Sequence, residues 1–216
     1  MHAAETLPIL AKETARDVVI GTAQGAGLAI SPVDELVPDF DEKVVVEQAQ
    51  QGDESALVLL YEFYFPRVYR YVASRVESTD DAEDVTSEIF LRVVDKLDSF
   101  TWRGLPFGAW VFRIARNEVI SHARKQKTRG ATAELSESIP DWRQTQDEAV
   151  TTGMLLDAVR DAATRLPGAQ REVLALRFGA GLSVAETAAV LNKSENNVKV
   201  LQHNAVKNIK SMVPRD

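Results

Sequence analysis

The chain has 216 residues, 45% of them hydrophobic, which is enough for one large hydrophobic core or two small ones. It has no cysteine, which excludes disulfides, thiolate metal sites and cysteine nucleophiles. No apolar run approaches the roughly 20 residues of a membrane span, and nothing frames the N-terminal apolar patch as a signal peptide. We therefore expect a cytoplasmic protein without membrane insertion.

The net charge of −7 hides an uneven distribution. Residues 1–42 and residues 77–98 each carry eight acidic and two basic side chains. Residues 103–129 carry seven basic side chains against Glu118 alone, and residues 193–216 carry five against two. Because the distribution of charge decides nucleic-acid binding more than its sum, the two basic blocks are candidate nucleic-acid surfaces.

Residues 1–41 contain glycine, alanine, proline and acidic residues without a sustained period, which predicts a disordered, acidic extension. Two roles stay open for it: a dispensable tail, or an autoinhibitory segment that competes for the basic faces. A helix is expected from Glu42 to the break at "QQGD", where Asp53 caps the next helix. Pro66 should kink or interrupt that second helix.

The segment "DDAEDVTSEIFLRVVDKL" predicts an acidic amphipathic helix that begins with a capping box of Asp80 and Glu83. Its apolar positions recur at spacings of 3, 4, 4 and 4. These are Ala82, Val85, Ile89, Val93 and Leu97.

Five aromatic residues follow within thirteen positions, in "FTWRGLPFGAWVF". Phe107 and Trp110 begin a helix that runs to about Lys127, and their spacing predicts core positions. Phe100 and Trp102 precede it in a Gly/Pro loop and are expected to be exposed. Exposed rings beside cations suit unpaired bases, which stack on the rings while cations hold the phosphates. The cations are Arg103, Arg113, Arg116, Arg124, Lys125, Lys127 and Arg129.

Residues 130–150 are polar and acidic, and they predict a flexible linker. Four helical segments follow, with no strand-like alternation anywhere in the chain. We therefore predict an all-α protein of two small helical domains, residues 42–129 and 151–216, joined by this linker. The four segments are Thr152–Arg165, Gly168–Gly179, Ser183–Leu191 and Glu195–Met212.

The last two segments predict a helix-turn-helix, whose second helix can enter the major groove of DNA. Ser183 and Glu186 form a capping box, and a three-residue turn ends at Ser194, the cap of the second helix. A helical hairpin with solvated polar residues is the alternative. The candidate DNA-facing residues are Ser194, Glu195, Asn196, Asn197, Lys199, Val200, His203, Asn204 and Lys207. The apolar face comprises Val198, Leu201, Ala205 and Ile209.

Several of these motifs together resemble bacterial sigma factors of the extracytoplasmic-function (ECF) type. "YFPRVYRYV", "DAEDVTSEIFLRV" and the aromatic stretch resemble the second conserved region of that family. "LPGAQREVLALRF" with the helix-turn-helix resembles the fourth, and the resemblance covers about residues 42–213. The aromatic stretch matches at Phe100, Gly104, Phe107, Trp110, Arg113, Ile114, Ala115, Arg116 and Asn117.

The resemblance implies a promoter-specificity subunit that binds core RNA polymerase and promoter DNA, and that an anti-sigma factor can bind. It implies that the second domain binds the −35 element through the helix after Ser194. It implies that the acidic helix docks on polymerase through Asp81, Asp84, Glu88 and Leu91. It implies that the loop captures a flipped base of the −10 element, contacted by Phe100, Trp102, Arg103, Arg113, Arg116, Asn117, Ser121, Arg124 and Lys125.

The second helix of the helix-turn-helix departs from the family, and its −35 contacts stay open. It has Val200, Leu201, Asn204 and Val206 where serine or arginine is common. A stand-alone helix-turn-helix regulator with a helical sensor or dimerisation domain is the alternative function, although such a regulator needs neither the acidic helix nor the aromatic loop. Scattered histidines and the lack of a nucleotide loop or a triad spacing predict no enzyme, no cofactor and no metal.

Overall fold

The computed structural model describes residues 41–129 and 158–213, and every regular element within those ranges is helical. This confirms the predicted all-α class. The chain divides between Trp142 and Arg143 into two compact units. The predicted extension, apart from Asp41, and the predicted linker lie outside the described residues.

The first unit contains four α-helices within its described part. They are α1 (Glu42–Gln50), α2 (Glu54–Ala73), α3 (Thr79–Lys96) and α4 (Phe107–Arg129), with a 3₁₀ turn over Leu97–Ser99. The second unit contains α5 (residues 158–164), α6 (Gly168–Leu174), α7 (Val184–Leu191) and α8 (Glu195–Met212), with a π-helical turn over Ala175–Gly179.

The core of the first unit is aromatic. Tyr61 and Phe65 of α2 pack on each other and on Phe90 of α3, with ring centroids 4.9–5.7 Å apart. Aromatic side chains bury large apolar areas, and such ring pairs add about 0.5–1.5 kcal/mol each beyond the buried area. The apolar stripe predicted for α3 is confirmed, since Ala82, Val85, Ile89, Val93 and Leu97 are all buried.

Two local predictions in this unit need correction: Pro66 does not interrupt its helix, while the alternative that it kinks the helix stays a prediction, and the cap of α3 is a different residue. Helix α2 runs from Glu54 through Pro66 to Ala73 without interruption. The neighbouring side chains Phe65 and Val68 are fully buried, and their packing outweighs the roughly 3 kcal/mol that an interior proline costs. Helix α3 is not capped by Asp80.

Helix α3 begins one turn before Glu83, and its N-cap is Ser78. The Ser78 hydroxyl accepts a hydrogen bond of 3.0 Å from the backbone N–H of Asp81. Serine and aspartate are equally good caps, so only the backbone path, with Ser78 extended, decides between them.

The second unit has a small aliphatic core. Val173, Ala188 and Val198 form it, and partly buried Val184, Leu191 and Leu201 pack against them. Because these side chains are small, α6, α7 and α8 approach closely and the helix-turn-helix is compact.

Local hydrogen bonds fix the turn of the helix-turn-helix. The predicted capping box is confirmed: Glu186 N–H donates to the Ser183 hydroxyl at 3.1 Å, and Ser183 N–H donates to the Glu186 carboxylate at 2.7 Å. Helix α7 ends at Asn192, which adopts the left-handed conformation with φ 51°. Ser194 then caps α8 by accepting from Asn197 N–H at 3.2 Å, as predicted.

Candidate nucleic-acid interface

The loop between α3 and α4 exposes one of its two predicted rings and buries the other. Phe100 is only 5% exposed, so the expectation that it lies on the surface is wrong. Its ring centroid lies 5.1 Å from those of Trp102 and Phe107 and 5.2 Å from that of Trp110, so Phe100 closes the end of the aromatic core. Trp102 is 37% exposed and meets Phe100 edge-on. Trp102 is therefore the ring that a base can reach.

The loop backbone is held at three points. The side-chain amide of Gln50, at the end of α1, donates 2.9 Å hydrogen bonds to the carbonyls of Leu97 and Phe100. Arg103 N–H donates to the Thr101 carbonyl at 2.8 Å. Gly104 has φ +73°, a conformation that glycine adopts without strain. Gln50 was not predicted, because no local pattern links it to carbonyls 47 and 50 residues away.

Helix α4 has one buried face and one basic face. Positions 113, 116, 120, 124 and 127 are spaced 3, 4, 4 and 3, and so lie on one side of the helix; four of them are arginine or lysine, and the fifth is the half-buried Ile120. Arg113, Asn117, Arg124 and Lys125 are exposed, and Arg116 and Ser121 are half-buried. The other side, which includes Phe112, Ala115 and Val119, is buried.

The one acidic residue of this basic block is neutralised inside the unit. Glu118 is buried, and its carboxylate lies 3.0 Å from Nε of Arg92 on α3. This pair satisfies the buried carboxylate and links α3 to α4. Glu118 consequently does not weaken the positive potential of the outward face.

Helix α3 presents the opposite charge. Asp84, Glu88 and Leu91 are exposed, and Leu91 is an apolar side chain among acidic neighbours. Asp81 differs from these three, because its carboxylate accepts from the Ser78 hydroxyl at 2.8 Å and lies 3.5 Å from Nε2 of His122 on α4. Of the four residues predicted to bind polymerase, Asp84, Glu88 and Leu91 are therefore the exposed ones.

One acidic side chain of α3 acts inside the unit. Burial, with a smaller contribution from the Glu83 carboxylate, raises the pKa of the Tyr69 phenol on α2. The Glu83 carboxylate therefore acts on a side chain of the neighbouring helix α2.

Helix α8 exposes every residue of the predicted DNA-facing set. Even Val200, an apolar residue, is 50% exposed. The other members are Ser194, Glu195, Asn196, Asn197, Lys199, His203, Asn204 and Lys207, all of them exposed.

Two side-chain hydrogen bonds outside the helix-turn-helix pattern orient α8. Arg177, in the π-helical turn, donates through Nε to Gln202 at 3.0 Å and also donates to the Leu182 carbonyl. The Asn208 amide donates to Gln170 of α6 at 2.9 Å. These contacts fix the rotation of α8 about its axis, and no sequence pattern predicted them.

Within residues 41–129 and 158–213, no three or more histidine, aspartate or glutamate side chains are grouped so that they could hold a metal ion. No helix in that part of the chain is long and apolar enough to cross a membrane.

Comparison with known proteins identifies both units. The family model for Sigma-70 region 2 matches residues 60–129, and that for Sigma-70, region 4 matches residues 162–211. The chain is 42% identical over 177 residues to the ECF RNA polymerase sigma factor BldN of Streptomyces coelicolor, covering 80% of this chain and 66% of that protein, just under two thirds. It is 34% identical over 182 residues to the ECF RNA polymerase sigma factor SigD of Mycobacterium tuberculosis, covering 78% of this chain and 82% of that protein.

A solved structure shows the same fold. CnrH, solved in complex with the cytosolic domain of CnrY, superposes with a TM-score of 0.59 at 24% identity. The superposition covers 79% of this chain and 95% of that chain. With both sigma regions matched in order and relatives such as SigD similar over most of their length, the chain belongs to the ECF RNA polymerase sigma factor family.

Proposed function

We propose that this sigma factor binds core RNA polymerase and the −10 element through its first unit and the −35 element through its second. The corresponding domains are residues 42–129 and residues 151–216, with residues 130–150 as the linker. The observation that carries the proposal lies in the first unit. Consecutive helices present exposed faces of opposite charge, acidic on α3 and basic on α4, and the loop between them exposes a tryptophan.

These two faces suit two different partners at once. The acidic face with Leu91 complements a basic, partly apolar surface on core polymerase, and Asp84 and Glu88 provide its charge. The face with Arg113 and Arg124 attracts phosphates. Because the faces lie on different helices, polymerase and DNA can be held together.

Base capture then follows from the loop. A base that leaves the duplex stacks on Trp102, which contributes about 1–3 kcal/mol and offsets the few kcal/mol that unstacking costs. Arg103 beside the ring, and Arg113, Arg116, Asn117, Ser121, Arg124 and Lys125 along α4, hold the same strand. Phe100 supports Trp102 from the core side and does not itself contact the base. The sigma factor is not an enzyme in this scheme, since the polymerase carries out the chemistry.

The second unit reads duplex DNA. Asn196 and Asn197, in the first turn of α8, can form bidentate hydrogen bonds with adenine, and Lys199 can reach guanine or a phosphate. The Ser194 cap holds this turn in helical form at the groove. Val200, at a position where arginine or serine is common in the family, can pack on a thymine methyl group.

The partners and the location follow from this scheme. Because core polymerase and promoter DNA are in the cytoplasm, we infer that the protein acts there. An anti-sigma factor that covered the α3 face or the α8 face would block polymerase or promoter binding, and we include one among the proposed partners.

In vitro transcription tests the whole scheme. Purified protein and core polymerase are first combined into a holoenzyme, which selects templates from a library of randomised promoters. The selected templates are then transcribed, and run-off transcripts are measured. We expect transcription that depends on the added protein. Tight binding to duplex DNA without polymerase, together with no stimulation of core, would instead favour a stand-alone helix-turn-helix regulator.

The Trp102→Ala variant tests base capture by itself. Loss of one stacked base should reduce open-complex formation by about fivefold to 160-fold, from roughly 1–3 kcal/mol of stacking, while core binding stays unchanged. Permanganate footprinting measures the open complexes, and Trp102→Phe, which keeps a ring, is the matched variant. Unfolding of Trp102→Ala, seen by circular dichroism, would assign Trp102 to the core instead.

A further inference from the structure

Gln50 connects α1 to the loop that carries Trp102. Its Nε2 lies 2.9 Å from the carbonyl oxygens of both Leu97 and Phe100, and its side chain is half-buried between them. We infer that Gln50 is a positioning residue for base capture, which holds the loop in the conformation that presents Trp102. This inference rests on the proposed function of the loop.

The two carbonyls lie at the point where the chain leaves α3. The Leu97 carbonyl also accepts from Phe100 N–H at 3.0 Å, which closes the 3₁₀ turn. Phe100 is then extended, with ψ 135°, and its carbonyl is the first of the loop. A hydrogen bond to that carbonyl fixes the orientation of the next peptide plane, and Trp102 follows two residues after Phe100.

Gln50 is itself held in place by the rest of α1. Val46 and Ala49 of α1 are buried against the unit. At the other end of the helix, the hydroxyl of Tyr64 donates to the Glu42 carboxylate. Helix α1 is therefore fixed to the first unit by its buried residues and by the contact at its start, and Gln50 links this fixed helix to the loop.

The chemistry of the contact requires an amide. A glutamine Nε2 carries two hydrogens and can donate to two carbonyls, whereas an ionised glutamate carries none and only accepts. The family model for region 2 matches from residue 60 onward, so Gln50 lies outside the matched segment. The donor of this contact therefore comes from a part of the first unit that precedes the matched segment, while both acceptor carbonyls lie within it.

The Gln50→Glu variant tests the inference in the full-length chain. It keeps the size of the side chain but removes both donors and places a carboxylate against two carbonyl oxygens. Gln48→Glu is the matched control, because Gln48 is exposed on the same helix and the charge change is the same. The protein is labelled with 5-fluorotryptophan, and the Trp102 resonance is identified by its loss in Trp102→Phe.

We expect Gln50→Glu to shift and broaden the Trp102 fluorine resonance in the free protein. In the holoenzyme it should reduce open complexes roughly tenfold, the effect of about one to two lost hydrogen bonds, with core binding unchanged. Gln48→Glu should change neither reading. Should Gln50→Glu fail to fold, Gln50→Leu, which has no donor and no charge, is measured in the same way.

The outcomes separate this inference from the proposed function. If Trp102→Ala leaves open complexes unchanged, base capture by the loop is wrong, whatever the resonance shows. If Trp102→Ala reduces open complexes but Gln50→Glu matches Gln48→Glu in either reading, the loop is functional and the positioning role of Gln50 is wrong.

Discussion

The two surfaces that we assign to DNA are built in different ways. The loop and α4 rest on a core of large rings and present arginine and lysine along one face. Helix α8 packs through its own Val198 on Val173 and Ala188, and its outward face carries three asparagines together with Lys199 and Lys207. Rings and cations suit a separated strand, while amides on a fixed helix suit the edges of paired bases. This difference supports the proposed function, in which the first unit binds a separated strand and the second unit binds duplex DNA.

The two surfaces are also stabilised by different interactions. Phe107, the first residue of α4, is fully buried and packs on Tyr64, Phe100 and Trp110, so burial fixes the loop and the start of this helix. Helix α8 instead begins at the Ser194 cap and is oriented by side-chain hydrogen bonds such as that from Arg177 to Gln202. Substitutions should therefore cost most in the core of the first unit.

The largest effect is expected for Phe107→Ala. Loss of a fully buried phenylalanine costs about 3–5 kcal/mol of unfolding free energy, because the cavity adds to the lost transfer energy. Val198→Ala in the second unit removes two methyl carbons and should cost less, about 2 kcal/mol. Urea denaturation followed by circular dichroism measures both.

A surface variant provides the control for this measurement. Leu59→Ala, at a position 46% exposed in the first unit, should change stability by at most about 0.5 kcal/mol. If Val198→Ala cost more than Phe107→Ala, the contrast between an aromatic core and a hydrogen-bonded helix-turn-helix would be incorrect.

Much of this organisation could be predicted from local patterns. The apolar stripe of α3, the Ser183–Glu186 capping box and the Ser194 cap were all predicted, because periodicity and capping depend on residues within one or two turns. The same locality explains why the all-helical class was predicted correctly.

The errors arise where tertiary packing decides. Phe100 lies in a loop with no periodicity, yet three rings from the loop and α4 bury it. Pro66 lies in a helix that its buried neighbours maintain. Gln50 donates to backbone carbonyls far along the chain and Arg177 donates to the Leu182 carbonyl, and no sequence spacing indicates either contact. The residues proposed to contact DNA and polymerase stay predictions, because their roles depend on partners.

The next effect separates phosphate contacts from base contacts. Asn197→Ala in α8 should lose about 1–3 kcal/mol of discrimination at one base pair of the −35 element and leave the salt dependence unchanged. Arg124→Ala in α4 should weaken all promoters alike and lower the slope of log K against log salt by about 0.7–0.9. Holoenzyme binding to single-base promoter variants, measured over a range of salt concentrations, gives both values. The assignment of the two surfaces would be reversed if Asn197→Ala changed the slope and Arg124→Ala changed base preference.

The smallest effect is expected for Ser194→Ala, which removes the cap of α8. The Ser194 hydroxyl accepts from Asn197 N–H, and loss of an N-cap serine costs about 1 kcal/mol of stability. The freed turn carries Asn196 and Asn197, so promoter binding should fall in addition to stability. Thermal denaturation and holoenzyme binding to the −35 element measure the two effects.

Two matched variants distinguish the effect of the Ser194 cap on promoter binding from the effects of a nearby charge and of a general loss of stability. Ser183→Ala removes the cap of α7, with a similar loss of stability but without freeing the DNA-facing turn. Ser194→Asp keeps the cap, since aspartate is as good an N-cap as serine, but places a negative charge beside the phosphates. It should retain stability and lose promoter binding. If Ser183→Ala and Ser194→Ala weakened promoter binding equally, the Ser194 cap would act only through the stability of the unit, and the first turn of α8 would not be the part that reads the −35 element.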